Sequence, residues 1–426
     1  MSHQLTYTFY DGLVEEEEGT RAYEKEERSI RGRRRGAILL EELIECCDGK
    51  SNPIKFFSPC QIIEATDNFS NSNHVFANLI YYEWYSGKKE NHPMLLIKKF
   101  THELNYYQQE ELFCRDIAIS SMVSGHKNFL KLVGCCLESE DHVAMVFHGV
   151  KKHYQLDLKE QSWRRRIKIA EDIATALAYL HTAFPRPFVY ANMKLENILL
   201  DEDGVAKLWD FSSCVSIPQG ETFVKHKYEW GDTTPRISLY GFMDPNLWKK
   251  GVVSKKTDVY GIGILMQKLL SGEQRCQDFY FEKLVKGENE TFQSFLPFSL
   301  ALRFPNWLSK RRMEEMAKPE VEVLSEEPRF RDLCFEEVEE LYYEEAFNRS
   351  IVSPIYSPRR FPNWLSGSME EIADPEMIEE MGGITEEELC RMEDFLMLSQ
   401  RCVGHSGQVP TMVEVAKELK KIQKSP

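Results

Sequence analysis

The stretch "VYANMKLENILLDEDGVAKLWDFSS" (residues 189–213) decides the fold of this chain. Lys194, Asn197 and Asp210 stand in it at the spacing of a phosphoryl-transfer centre, where such side chains hold phosphate and metal. That chemistry also uses a carboxylate to accept the proton of the attacking hydroxyl, and Asn192 occupies the corresponding position. The stretch therefore predicts the architecture of such a centre without its base.

The sequence around this stretch predicts two lobes of different character. Runs rich in β-forming residues at 79–85 and 94–100 flank the turn-forming segment "SGKKENHP". Farther along, apolar residues recur at helical spacing, and the segment at 258–272 is apolar nearly all round, as in a central helix. We therefore expect an α+β fold with a small β-rich lobe at about 55–150 and a larger α-helical lobe at about 151–424.

Composition and charge narrow the class of protein. The chain has 426 residues, of which 53 are Lys or Arg and 68 are Asp or Glu, and its formal net charge of -15 argues against nucleic acid as a partner. No apolar run is long enough to span a membrane, and the N-terminus lacks the features of a signal peptide. The 11 cysteines show no metal-ligand spacing. These features predict a cytoplasmic protein.

Residues 1–54 are predicted to form a charged, loosely structured extension. In it, the acidic run at 15–18 is followed by the basic run "RSIRGRRRG" (28–36). We interpret the basic run as part of a solvated tail, and peripheral contact with a membrane or a partner is the alternative.

One segment occurs twice. "RFPNWLS" begins at Arg303 and again at Arg360, an offset of 57 positions (360 minus 303). Two copies are too few for a stacked repeat protein. We interpret the extra copy as a duplicated segment at about 278–335, inserted in the helical lobe. The alternative is that it presents Trp307 to a partner.

Further motifs match the parts of a protein kinase in the expected order. "LLIKKF" places Lys98 as the phosphate-binding lysine, "YANMKLEN" matches the catalytic loop, and "DFSS" matches the metal-binding D-F-G motif. The chain resembles the protein kinase fold over about residues 55–424. More narrowly it resembles plant receptor-like cytoplasmic kinases, through "FFSPCQIIEATDNFS", "FLKLVGCCLE", "NILLDEDGVAKLWDF" and "TDVYGIG". Within them it is similar to the ZRK subfamily, whose members are mostly pseudokinases.

Several positions depart from the kinase pattern. "ANLIYYEW" (77–84) stands where kinases have a Gly-rich phosphate loop, with Ala77, Leu79 and Tyr82 at the glycine positions. Only glycine lets the backbone approach the phosphates freely, so the loop is predicted to have lost its function. Asp116 falls at the glutamate that pairs with the lysine, and its shorter side chain predicts a weaker bridge to Lys98.

The retained residues leave two interpretations open. Lys98, Lys194, Asn197 and Asp210 are the nucleotide-binding candidates, and the resemblance assigns Asn197 and Asp210 as Mg²⁺ ligands. In one interpretation the cleft still binds ATP and Mg²⁺ weakly. In the other these side chains persist as buried anchors between the lobes.

The resemblance also implies a biological role. It predicts an adaptor or scaffold in plant innate immunity that docks on the leucine-rich repeats of an NLR receptor. A second surface would recognise receptor-like cytoplasmic kinases modified by a pathogen effector, and such partners would recruit the chain to the inner face of the plasma membrane. The alternative is a weakly active, ATP-dependent serine/threonine kinase, since phosphoryl transfer is mostly positioning and electrostatics.

Overall fold

The protein folds into two lobes of different composition. The computed structural model describes residues 26–78, 82–89, 92–100, 107–138, 143–149, 154–225, 244–272, 368–404 and 408–424. In them the first lobe holds one large sheet, and the second is mostly helical. The predicted two-lobed α+β fold is confirmed.

Six strands form the sheet of the first lobe. They are β1 (Lys55–Phe56), β2 (His74–Asn78), β3 (Tyr82–Lys89), β4 (His92–Phe100), β5 (Leu132–Cys136) and β6 (Ala144–His148). Their order is β1-β5-β6-β4-β3-β2, and every pair is antiparallel except β1 with β5. β3 and β4 stay paired as far as Lys89 and His92, so their turn is shorter than the one predicted over 86–93.

Where the first lobe is described, three helices accompany this sheet: α1 (residues 26–47), α2 (Pro59–Ala65) and α3 (Tyr107–Val123). The first of them corrects the prediction that residues 1–54 are loosely structured, since residues 26–47 of that range are helical. The charged run hid an amphipathic pattern, in which Leu39 and Cys46 lie buried on one face while Leu40 and Ile44 are exposed on the other.

Polar contacts fix α1 against α3. The Arg115 guanidinium donates two hydrogen bonds to the Glu42 carboxylate, at 2.9 and 3.0 Å. Arg35, from the basic run, donates to the Leu137 carbonyl at 2.8 Å and to the Glu110 carboxylate at 3.1 Å. Bidentate arginine–carboxylate pairs are among the stronger polar contacts in proteins. The basic run is therefore part of a packed helix instead of a solvated tail.

In its described residues the second lobe contains seven helices: α4 (Trp163–Thr182), α5 (Pro245–Lys250), α6 (Lys255–Ser271), α7 (Met369–Ile372), α8 (Pro375–Glu380), α9 (Glu386–Cys402) and α10 (Met412–Lys424). α6 is buried at the centre. Its Gly263 allows close approach to α9, because a Cβ there would stand 2.8 Å from the Cβ of Cys402. None of the helices in the described ranges has the length and apolar character needed to cross a membrane.

Short strands complete the second lobe: β7 (Tyr154–Gln155), β8 (Phe188–Val189), β9 (Ile198–Leu200), β10 (Ala206–Leu208), β11 (Val215–Ser216), β12 (Phe223–Lys225) and β13 (Val252–Ser254). β9 pairs with β7 and β10, and β8 pairs with β11. The β8–β11 pair flanks the stretch at 189–213, and β9 and β10 lie within it. Strand pairing therefore holds this stretch in place.

The second copy of the repeated segment is anchored by a buried ion pair. Its Asp374 carboxylate lies 2.8 Å from the guanidinium of Arg166, whose side chain is 1% exposed. The first copy reads "AKPE" where the second reads "ADPE", so Lys318 stands at the place of Asp374. A lysine and a buried arginine repel each other, so Lys318 could not replace Asp374 in this ion pair. Only the second copy carries the negative charge that this position needs. The first copy, Trp307 and the predicted insertion at 278–335 lie outside the described residues.

Candidate active site

A buried ion pair lies at the centre of the cleft between the lobes. Lys98 on β4 and Asp116 on α3 are 3.0 Å apart, and each side chain is 2% exposed. The second carboxylate oxygen of Asp116 accepts hydrogen bonds from the Ser120 hydroxyl at 3.1 Å and the Phe211 N–H at 2.9 Å. Asp116 therefore reaches the lysine despite its short side chain, and it ties β4, α3 and the segment after Asp210 together.

Aromatic rings surround the ammonium group of Lys98. Its Nζ lies 4.7 Å from the ring centroid of Tyr82, 4.7 Å from that of Trp209 and 4.9 Å from that of Phe100. Trp84 packs beside them and is fully buried. We call Tyr82, Trp84, Phe100 and Trp209 the aromatic enclosure. Rings at these distances attract a cation through their quadrupoles, most strongly when water is excluded.

Asp210, the D-F-G aspartate, makes contacts within its own turn. Its φ of +65° places it in the left-handed region, which aspartate tolerates. The Ser212 hydroxyl, at the glycine position of the motif, donates to the Asp210 carboxylate at 2.6 Å. Burial would raise the pKa of Asp210, but Lys98 and Lys194 outweigh burial and hold it below its ordinary value. The carboxylate is therefore anionic at neutral pH.

Asp116 and Asp210 share the charge of one lysine. Burial raises the pKa of Asp116, while Lys98 and the N–H of Phe211 act in the opposite direction. Two interacting carboxylates titrate as a pair. Lys98 alone does not neutralise both carboxylates, and Lys194 acts on Asp210 as a second cation.

Asn192 lies at the position of the proton acceptor. Its side-chain amide donates to the backbone carbonyl of Asp210 at 3.3 Å, and its backbone carbonyl accepts a hydrogen bond from the Asn197 side chain at 2.9 Å. A neutral carboxamide cannot take up the proton of an attacking hydroxyl. The site therefore holds the loop in place without offering a base.

Asp258 on α6 fixes the backbone of this loop. Its carboxylate accepts hydrogen bonds from the N–H groups of Tyr190 and Ala191, both at 2.9 Å, and lies 2.7 Å from the His181 ring. Ala191 has a φ of +53°, a strained conformation for alanine that these bonds hold. The Tyr190 hydroxyl donates to the Trp209 carbonyl at 2.5 Å. The loop is thus closely packed and bound to α6 by hydrogen bonds.

The resemblance implies ATP and Mg²⁺, and the residues present fit them unequally. Among the described residues, the buried Asn197 Oδ1 lacks a hydrogen-bond partner, and with the Asp210 carboxylate it supplies the oxygen donors that Mg²⁺ prefers. The nucleotide fits poorly, because the ring of Tyr82 covers Lys98 where phosphate would lie. Asn197 and Asp210 would hold a metal if one bound, and the metal would supply charge neutralisation.

The structure brings most of the predicted site residues together. Asp116 and Asp210 both interact with Lys98. Asn192 and Asn197 lie in the loop that is hydrogen-bonded to Asp210, and Lys194 precedes the 3-10 turn (Leu195–Asn197) of that loop.

The other two predicted positions of the phosphate loop are Ala77 and Leu79. Ala77 is on β2, where its backbone pairs with that of Glu83, and Leu79 lies outside the described residues.

Four residues of the site were not predicted from the sequence. Trp84, Phe100 and Trp209 build the enclosure, and Asp258 holds the loop. The signals were the aromatic run beside the lost glycines, the Trp directly before the D-F-S-S motif and the aspartate of "TDVYGIG".

Comparison with known proteins assigns the family. Residues 83–333 match the protein kinase domain family. A probable inactive receptor-like protein kinase of Arabidopsis thaliana is 50% identical, over 92% of this chain and 88% of its own length. The inactive serine/threonine-protein kinase ZRK12 of the same plant is 49% identical, over 92% of this chain and 78% of its own length. The non-functional pseudokinase ZRK15, also of Arabidopsis thaliana, is 47% identical, over 94% of this chain and 94% of its own length. The chain therefore belongs to the protein kinase family and, within it, to the ZRK group.

Proposed function

We propose that this chain is a pseudokinase that works as an adaptor in plant innate immune signalling. One observation carries the loss of catalysis: the proton-accepting position holds Asn192, whose amide is bound to the Asp210 carbonyl. Loss of a general base typically slows a reaction by about 10²- to 10⁴-fold. Similar proteins named inactive or non-functional support the proposal.

A weakly active serine/threonine kinase is the alternative. It is favoured by the Asn197 oxygen that lacks a partner and by the anionic Asp210, which together keep the donor set of a metal site. Phosphoryl transfer depends mainly on positioning and electrostatics, so a missing base does not by itself abolish it. Mg²⁺-dependent phosphorylation that Asp210→Ala abolishes would favour this alternative.

The adaptor role requires a surface for a protein partner, and α1 offers one. Its outer face carries three large apolar side chains in water: Ile30 (52% exposed), Leu40 (57%) and Ile44 (58%). Leu40 and Ile44 are one helical turn apart, opposite the buried face that contacts the first lobe, and Ile30 lies about three turns nearer the N-terminus. Large apolar side chains exposed on one face commonly mark a protein contact.

We assign this face to the leucine-rich repeats of an NLR receptor. Repeat proteins of that kind present an extended concave surface, which could receive the exposed face of α1. A separate surface would recognise an effector-modified receptor-like cytoplasmic kinase, and those partners would bring the chain to the inner face of the plasma membrane. Both partners follow from the resemblance to the ZRK group.

Co-purification with an NLR leucine-rich-repeat domain tests the adaptor role. We expect the full chain to bind the domain and the double variant Leu40→Ser, Ile44→Ser to lose binding while keeping its melting temperature. Met397→Ser is the matched control, because Met397 is 58% exposed on α9, in the other lobe. Failure of the wild-type chain to bind any such domain would refute the adaptor role. Binding that survives the double change would refute the assigned face.

A further inference from the structure

The most unusual feature of the cleft is what lies over Lys98. In protein kinases the corresponding lysine holds the nucleotide phosphates, and a Gly-rich loop covers them. Here the ring of Tyr82, at a former glycine position, lies 4.7 Å from the lysine Nζ, and the lysine side chain is 2% exposed. We propose that the aromatic enclosure takes the place of the nucleotide, so that the cleft excludes Mg·ATP and Lys98 joins the two lobes.

The rings pack against one another across the cleft. Trp84 and Trp209 have centroids 5.0 Å apart and planes at 87°, and Tyr82 and Trp209 have centroids 5.2 Å apart and planes at 88°. Edge-to-face pairs of this kind stabilise a structure beyond the area they bury. Tyr82 and Trp84 belong to β3 of the first lobe, whereas Trp209 follows β10 of the second. The enclosure therefore connects the lobes directly.

The Lys98 ammonium is already occupied within the chain. It lies 3.0 Å from the Asp116 carboxylate, and the ring of Tyr82 covers it at 4.7 Å. An incoming polyphosphate would have to displace this ring before it could reach the lysine.

This inference goes beyond the loss of catalysis. A pseudokinase without a base can still bind nucleotide and use it to hold its lobes together. In this chain the aromatic rings supply that connection, so the relative position of the lobes does not depend on the nucleotide level. A partner that contacts both lobes would meet the same surface in the presence and absence of ATP.

Thermal melting of the full chain with millimolar Mg·ATP, and with Mg²⁺ alone, tests the exclusion. A ligand that binds only the folded state raises the midpoint. We expect no saturable rise for the wild type. We expect the double variant Tyr82→Gly, Trp84→Val, which restores residue types of the kinase motif, to melt lower but to gain a rise with Mg·ATP. A saturable rise in the wild type would overturn the proposal, as would a folded double variant that shows no rise.

Hydrogen exchange tests the connection between the lobes. Trp209→Ala should speed amide exchange by more than tenfold both in β4 of the first lobe and in β10 of the second, because it removes the ring that joins the lobes. Trp163→Ala is the matched control: its side chain is equally buried, at 1% exposure, but packs on Phe395 inside the second lobe. The same exchange pattern in both variants would overturn the lobe-joining role. Nucleotide binding without transfer would overturn the exclusion and leave the proposed adaptor function standing.

Discussion

Replacing Lys98 by methionine tests whether this lysine stabilises the fold or serves only to bind phosphate. The change removes the cation that lies 3.0 Å from Asp116 and leaves that carboxylate with a side-chain exposure of 2%. Breaking a buried ion pair from one side typically costs about 3–5 kcal/mol, because the remaining charge is uncompensated. Whole domains are stable by about 5–15 kcal/mol, so Lys98→Met should remove a large part of the free energy of unfolding.

Urea denaturation measures this loss, and an exposed ion pair provides the control. Lys159 and Glu376 lie 3.3 Å apart with side-chain exposures of 70% and 62%, so Lys159→Met should change the free energy of unfolding by less than about 1 kcal/mol. Adding Asp116→Leu to Lys98→Met should recover part of the loss, since no buried charge is then left unpaired. A Lys98→Met loss no larger than that of Lys159→Met would refute the reasoning.

The loss should also depend on pH. Burial already raises the pKa of Asp116, and removing Lys98 removes the main cause acting against burial. A carboxyl with a raised pKa in the folded state binds a proton more readily when folded. The Lys98→Met deficit should therefore grow as pH rises from the folded-state pKa of Asp116 in the wild type to its higher folded-state pKa in the variant, and level off above that. A deficit independent of pH would show that Asp116 is not the uncompensated group.

Three further changes test separate parts of the structure. Asp374→Lys puts the residue type of the first repeat copy against the buried guanidinium of Arg166. It should lower the free energy of unfolding, measured in urea, by about 3–5 kcal/mol, and Asp374→Asn should lower it less. Leu39→Ala on the buried face of α1 should cost about 2–5 kcal/mol, whereas Leu40→Ala on the exposed face should stay within about 0.5 kcal/mol of the wild type. In alkylation followed by peptide mapping, exposed Cys60 should react well before buried Cys46, because burial raises the pKa of Cys46 to about 12 and suppresses its thiolate. Equal losses at the two leucines, or equal rates at the two cysteines, would contradict the position of α1.

The fold was predictable because several short motifs occur in a fixed order. The strand with Lys98, the loop with Asn197 and the turn with Asp210 each match weakly alone, but their order and the helical periodicity after them indicate the two lobes. The helix at 26–47 was missed, because charged residues interleave its apolar positions and its stability comes from packing on α3. Local composition therefore gave the wrong expectation for that segment.

The sequence predicted which residues belong to the candidate site, but it did not predict how their side chains are arranged. The loss of glycine at Tyr82 indicated a failed phosphate loop, yet nothing local shows that the tyrosine ring lies on Lys98. Trp209 is more than a hundred positions away from both, and it joins them only when the lobes close. Contacts of this kind depend on tertiary packing, which residue spacing does not encode.

The most direct test of the central claim is transfer of labelled γ-phosphate from Mg·ATP. The full chain and its Asp210→Ala variant are assayed side by side, for transfer to the chain itself and to a generic serine/threonine protein substrate. We predict the same background level for both proteins, because Asn192 accepts no proton and the aromatic enclosure covers Lys98. Mg²⁺-dependent transfer by the full chain that disappears in Asp210→Ala would contradict the claim and establish a slow kinase instead.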